Sequence, residues 1–130
     1  MMSRRAWLAS LLRATALLPL PLAHAIGTFI GWLLWRIPGN SPRRIAERNL
    51  SLCFPERSVA ERDALLRQNL QETGKLLLEL GPLWFWSRRR VLALIQESVP
   101  GEEALATAVR QKQGAILLTP HLGAWEMAGL

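Results

Sequence analysis

Cysteine occurs once in the 130 residues, at Cys53. No internal disulfide can form, and no thiolate cluster is there to hold a metal. A single thiol in an apolar-rich chain reads as a small hydrophobe. Acidic residues are nearly missing from the first fifty positions, which hold seven Arg and one Glu. From Ser51 onward nine basic and nine acidic side chains cancel, so the formal charge of +6 belongs wholly to the front of the chain. There is no internal repeat and no low-complexity segment. Most of the six Trp sit in apolar clusters rather than interleaved with a basic face, which argues against nucleic acid as a partner. Basic residues flanking an apolar stretch point instead to a membrane surface.

That stretch runs from Ala14 to Trp35 without a charged residue; His24 is its only ionisable side chain. As one helix of 22 residues it would reach ~33 Å, enough to cross a hydrocarbon core. Pro19 and Pro21 spoil its first turns, which leaves Leu22 to Trp35 as the regular part. A tilted or interfacial anchor is therefore expected over a clean crossing. Trp32 and Trp35 beside Arg36 suit the headgroup level, and His24 reads as a polar residue tolerated at that interface. Arg4-Arg5, the apolar run and Ala23-His24-Ala25 also fit a signal peptide. Cleavage after Ala25 would strand Ile26 to Trp35 at a new terminus, so retention is expected. The basic flanks are nearly balanced and set no orientation.

Gly39-Asn40-Ser41-Pro42 is a turn that closes this anchor, residues 1–38, and opens the remainder, residues 39–130. Ser41 and Pro42 are expected to start a helix over Arg43 to Leu52, with Phe54-Pro55 breaking it. Ser58-x-x-Glu61 is a capping box at the head of a helix over Val59 to Leu80. Leu65, Leu66, Leu70, Leu76, Leu77 and Leu80 form its apolar stripe, expected to be core. Gly74 marks either a weak point or a close approach, and Gly81-Pro82 reads as a stop. Leu83-Trp84-Phe85-Trp86 precedes Ser87-Arg88-Arg89-Arg90. These rings and guanidiniums fit either the lipid headgroup level or a core cluster beside a solvated helix start. Val91 to Gln96 and Glu102 to Gln113 are expected as further helices, the second with acids first and bases last to match its dipole.

Ala115 to Leu118 follows Gly114 and precedes Thr119-Pro120. A short apolar run so bounded is expected to be a buried strand. Pro120 forbids a helix through Leu118 and Thr119, so a loop should follow at the strand's C-terminal end, where open α/β sheets place ligands. His121 and Glu126 stand there, five positions apart, with Gly123 allowing a tight turn. A neutral His takes a proton from a hydroxyl near pH 7, and a carboxylate on its second nitrogen orients it and stabilises the imidazolium. By spacing alone, a packing or capping His beside a first-turn acid accounts for the pair equally well.

The surrounding words carry more. Leu117 to Glu126, Leu-Leu-Thr-Pro-His-Leu-Gly-Ala-Trp-Glu, resembles the His-x4-acid motif of the bacterial lipid A biosynthesis acyltransferases. Arg48-Asn49-Leu50-Ser51-Leu52-Cys53-Phe54-Pro55-Glu56 is similar to that family's Arg-Asn-Leu…Phe-Pro block, as is Glu79-Leu80-Gly81 with the Trp-rich stretch behind it. Ala124 departs from the family's usual Asn. The three blocks stand in order over about the first half of a typical member, so the chain is expected to be the N-terminal part of one.

The resemblance implies an α/β acyltransferase-type layer, truncated, preceded by a membrane-anchor helix: mostly helical with one strand near the C-terminus. It implies transfer of a fatty acyl group from an acyl-carrier-protein thioester to a hydroxyl of a lipid A precursor, on the cytoplasmic face of the bacterial inner membrane. His121 would be the general base, Glu126 its orienter, and Arg88, Arg89 and Arg90 would meet acceptor phosphates. The Arg43 to Leu52 block would lie near the acyl-chain groove. No cofactor and no metal are expected. One strand cannot close a sheet, so the 130 residues alone are expected to be inactive and poorly folded away from lipid or detergent. Two alternatives fit the residues: a related glycolipid or lysophospholipid acyltransferase, and a non-enzymatic membrane-anchored helical module.

Overall fold

The computed structural model describes residues 4–94, 101–116, 118 and 123. It divides into two compact units, Met1–Phe85 and Trp86–Leu130. The first holds α1 (Arg4–Ala16), α2 (Leu20–Arg36), α3 (Ser41–Cys53) and α4 (Val59–Phe85). The second holds α5 (Arg88–Leu92) and α6 (Glu102–Arg110).

The uncharged run is not one helix. Leu17, Leu18 and Pro19 separate α1 from α2, because Pro19 cannot donate into a helical ladder and disfavours α geometry before it. Helix α2 has 17 residues, about 26 Å at about 1.5 Å each, short of a hydrocarbon core of about 30 Å. Among the described residues no single helix is long and apolar enough to cross a membrane. Taken together α2 and α3 have the length and composition, but they are bent by 78°. The expected anchor is thus a broken element.

Helices α2 and α4 run antiparallel along a seam of small residues. Ala23, Gly27 and Gly31 recur every fourth position and are all buried. Leu66, Leu70 and Gly74 are buried opposite them on α4. A Cβ on Gly27 would stand 2.6 Å from the Gly74 carbonyl oxygen and 2.7 Å from Lys75 Cα. This is the small-xxx-small spacing that lets two backbones touch. Gly74, ambiguous in the sequence, is therefore a point of close approach. The Leu stripe is core only in part: Leu66 and Leu70 are buried, while Leu77 is exposed.

Gly81-Pro82 does not stop α4. The helix continues to Phe85 with Pro82 inside it. An interior proline costs ~3 kcal/mol, which local sequence cannot offset; tertiary packing does. Gly81 and Pro82 are both buried, and a Cβ on Gly81 would collide with Thr15 Oγ1 and the Leu12 carbonyl of α1. Thr15 is itself buried, its hydroxyl donating to the Leu12 carbonyl at 2.9 Å.

The capping box is present. Ser58 N–H donates to Glu61 Oε2 at 2.8 Å, and Glu61 N–H to Ser58 Oγ at 3.3 Å. Helix α3 starts two residues earlier than expected because Asn40, not Ser41, is its cap.

The expected strand is absent among the described residues. Residues 115, 116 and 118 have no regular structure, and Ile116 and Leu118 are each 91% exposed. The reason is physical: a strand is held by a neighbour's ladder, and no second strand stands among the described residues. The α/β layer and C-terminal strand are accordingly replaced by an all-helical arrangement within them. Helix α6 ends at Arg110 rather than Gln113, and α5 ends at Leu92.

Candidate functional site

The α2–α4 seam carries polar locks at both ends. His24 Nε2 meets Glu79 Oε1 at 2.6 Å, both side chains partly buried. His24 is therefore partnered, not merely tolerated, and Glu79 is its partner. The Glu79-Leu80-Gly81 block thus has a structural reading: one residue holds α2, another admits α1. Near the other end Trp35 Nε1–H donates to Asp63 Oδ1 at 3.0 Å. The guanidiniums of Arg67 and Arg36 lie over the Trp35 ring, 5.4 and 5.8 Å from its centre, within cation–π range. The i+55 and i+28 separations of these pairs left no local signal in the sequence.

One side chain fixes the corner between α2 and α3. Asn40 Nδ2 donates to the Leu34 carbonyl at 2.7 Å and the Ile37 carbonyl at 2.5 Å. Its Oδ1 accepts from Arg43 N–H at 2.9 Å. Asn40 so satisfies carbonyls at the end of α2 and an orphan donor at the start of α3. Arg43 also donates to the Trp35 carbonyl. Between α3 and α4 lies a cleft of about 380 Å³ with Arg43, Glu47, Arg62 and Asp63 among its polar walls and Leu50 and Leu66 among its apolar ones.

Away from the seam, α2 presents Leu22, Ile26, Phe29, Ile30 and Leu33 to solvent, all on one side. Trp7, Leu8 and Leu11 of α1 are exposed as well. In the aromatic patch Trp84 is 65% exposed and Phe85 is also open, so these two rings are not core.

In the second unit Ser87 caps α5, its side chain accepting from Arg90 N–H. Arg88, Arg89 and Arg90 are exposed. The Arg90 guanidinium lies 3.5 Å from the Trp86 ring centre. His121 and Glu126 lie outside the described residues. Gly123 between them in sequence has φ +56, the left-handed region that glycine enters freely. No group of three or more His, Cys, Asp or Glu side chains converges among the described residues.

The geometry defines a class first: a helical assembly with a glycine-lined seam, a rigid corner and an unpartnered apolar face. The chain belongs to the bacterial lipid A biosynthesis acyltransferase family, whose model matches residues 2–130. It is 36% identical over 110 residues to a lipid A biosynthesis acyltransferase of Haemophilus influenzae, covering 84% of this chain and 34% of that protein. It is 36% identical over 104 residues to the lipid A biosynthesis lauroyltransferase of Escherichia coli, covering 80% and 33%. To the myristoyltransferase of the same organism it is 32% identical over 101 residues, covering 78% and 29%. The chain spans about a third of the length of the curated relatives it matches. No solved structure matches it.

Proposed function

We propose that this chain belongs to an O-acyltransferase that moves a fatty acyl group from an acyl-carrier-protein thioester to a hydroxyl of a lipid A precursor. The family match over residues 2–130 carries the reading, together with relatives named as lipid A acyltransferases. His121 takes the proton from the acceptor hydroxyl as it attacks the thioester carbonyl. Glu126 holds the second imidazole nitrogen and stabilises the imidazolium. Proton return to the departing thiolate of the carrier completes the transfer. Arg88, Arg89 and Arg90 offer exposed guanidiniums for acceptor phosphates, the bidentate chemistry arginine favours.

In this reading the reaction runs at the cytoplasmic face of the bacterial inner membrane. The net charge of the first fifty residues and the exposed apolar side of α2 support a membrane surface, and the cytoplasmic face rests on the family resemblance alone. The test is transfer of labelled acyl groups from acyl-carrier protein to a lipid A precursor, by wild type and His121→Ala within a complete enzyme. Positioned general-base help is worth about 10²–10⁴ in rate, so kcat should fall by that range. Wild-type turnover in the variant would end the general-base assignment.

A further inference from the structure

We propose that α3 is an in-plane surface helix that binds the anionic phosphates of lipid headgroups. The inference rests on the membrane location proposed above and adds a site to it.

Helix α3 has two sides. Arg43, Ala46 and Leu50 are half-buried, and Arg43 and Leu50 line the cleft towards α4. The opposite side carries Ile45, Arg48, Asn49 and Leu52, with Arg44 at its edge. Ile45 is 62% and Leu52 63% exposed. They stand seven positions apart, two helical turns, and so project from one side. Arg44 and Arg48, four apart, share one flank of that side. Among the described residues neither guanidinium meets a carboxylate. Two large apolar side chains with a basic flank on an otherwise polar helix are the pattern of a helix lying at a lipid boundary.

The corner decides the orientation. Trp32 and Arg36 stand at the C-terminal end of α2, with Arg36 Cζ 6.0 Å from the Trp32 ring centre, the composition of a headgroup-level belt. Helix α3 begins five residues after Arg36 and turns away by 78°. Asn40 bonds both helix ends, so this angle is built in. With α2 entering the lipid steeply and its C-terminal end at the headgroups, the 78° turn lays α3 along that level. An acidic protein would also suit Arg44 and Arg48. The membrane is favoured because the fixed corner delivers α3 to the belt that Trp32 and Arg36 define.

Cys53, the last residue of α3, is the chain's single cysteine and is exposed, so it accepts an environment-sensitive fluorophore. The full chain is reconstituted from detergent with phosphatidylglycerol/phosphatidylethanolamine vesicles or with phosphatidylcholine vesicles. The expected result is a blue-shifted label on anionic vesicles, quenched by nitroxide at headgroup depth and shielded from iodide. Arg44→Gln/Arg48→Gln should lose on the order of 10- to 30-fold in partitioning to anionic vesicles and change little on phosphatidylcholine. Binding to anionic vesicles with a label quenched only by iodide, or equal partitioning of variant and wild type, overturns the α3 assignment and leaves the membrane location standing. Protection of the label by acidic acyl-carrier protein in solution, with vesicle binding indifferent to the variant, replaces lipid with a protein partner. Failure of wild type to bind either vesicle removes both readings.

Discussion

Adding one methyl group to Gly27 sets two known effects against each other. In a helix interior Gly→Ala is favourable by about 1 kcal/mol, since Gly loses more backbone freedom. At Gly27 the new carbon would lie 2.6 Å from the Gly74 carbonyl oxygen and 2.7 Å from Gly74 C and Lys75 Cα. All three atoms are backbone, so no side chain can swing aside. Ordinary contact begins near 3.4 Å, and α2 and α4 must part by most of an ångström. Such a gap forfeits a quarter to a half of each dispersion contact along the seam, and overpacking of this kind costs about 1–3 kcal/mol.

The net expectation for Gly27→Ala is destabilisation by up to about 2 kcal/mol once the propensity gain is subtracted. The assay is denaturant unfolding in detergent micelles followed by far-UV circular dichroism, comparing midpoints at unchanged slope. Ala25→Gly, exposed on the same helix, calibrates propensity alone and should lose about 1 kcal/mol. Gly74 faces the same contact from α4, so Gly27→Ala/Gly74→Ala should lose less than the sum of the singles. If Gly27→Ala instead raised stability by the propensity increment, the close-packed seam would be refuted.

Ser58→Ala should destabilise α4 by ~1 kcal/mol through loss of the cap, read as a lower midpoint in the same unfolding experiment; no change would mean the capping box is idle. The Ser58 side-chain bond, then its backbone N–H, with a smaller contribution from Arg57, hold the Glu61 carboxyl below its ordinary value of 4.5. A depressed acid contributes stability that is complete above 4.5 and is lost as pH falls through the lower folded value. Wild type should therefore lose this increment on acidification and Ser58→Ala should lose less; parallel pH profiles would contradict it. His24→Ala and Glu79→Gln should couple in a double-mutant cycle by about 0.2–1 kcal/mol, the range for a partly exposed pair, and strict additivity would show that the 2.6 Å contact contributes nothing.

What was legible in the residues was local. Ser58 and Glu61 sit three apart and need no distant partner, so the capping box could be read directly and is found. The turn at Gly39 to Pro42 was visible too, though Asn40 rather than Ser41 serves as cap, since its longer amide reaches carbonyls of α2 as well as a donor of α3. The His-x4-acid words and their two companion blocks pointed to the family, and the family match agrees. His121 and Glu126 themselves, and all but Gly123 of the loop expected to carry them, lie outside the described residues.

What went unread was non-local. Gly81-Pro82 looks like a stop because a short window counts the missing N–H and cannot count the α1 surface that Gly81 admits. The run from Ala115 looks like a strand because apolar pattern reports burial appetite, while a strand also needs a neighbour's ladder. The break at Pro19 in the 22-residue uncharged run was local and legible, but the 78° turn between α2 and α3 was not. Sequence alone determined the charge asymmetry, the caps and the family words, because these depend on residues near one another in the chain. Only tertiary structure decided that three glycines form a seam, that His24 belongs to Glu79, and that α3 leaves α2 at 78°. Those follow from backbones meeting across tens of residues, where packing and paired polar groups outweigh local preference.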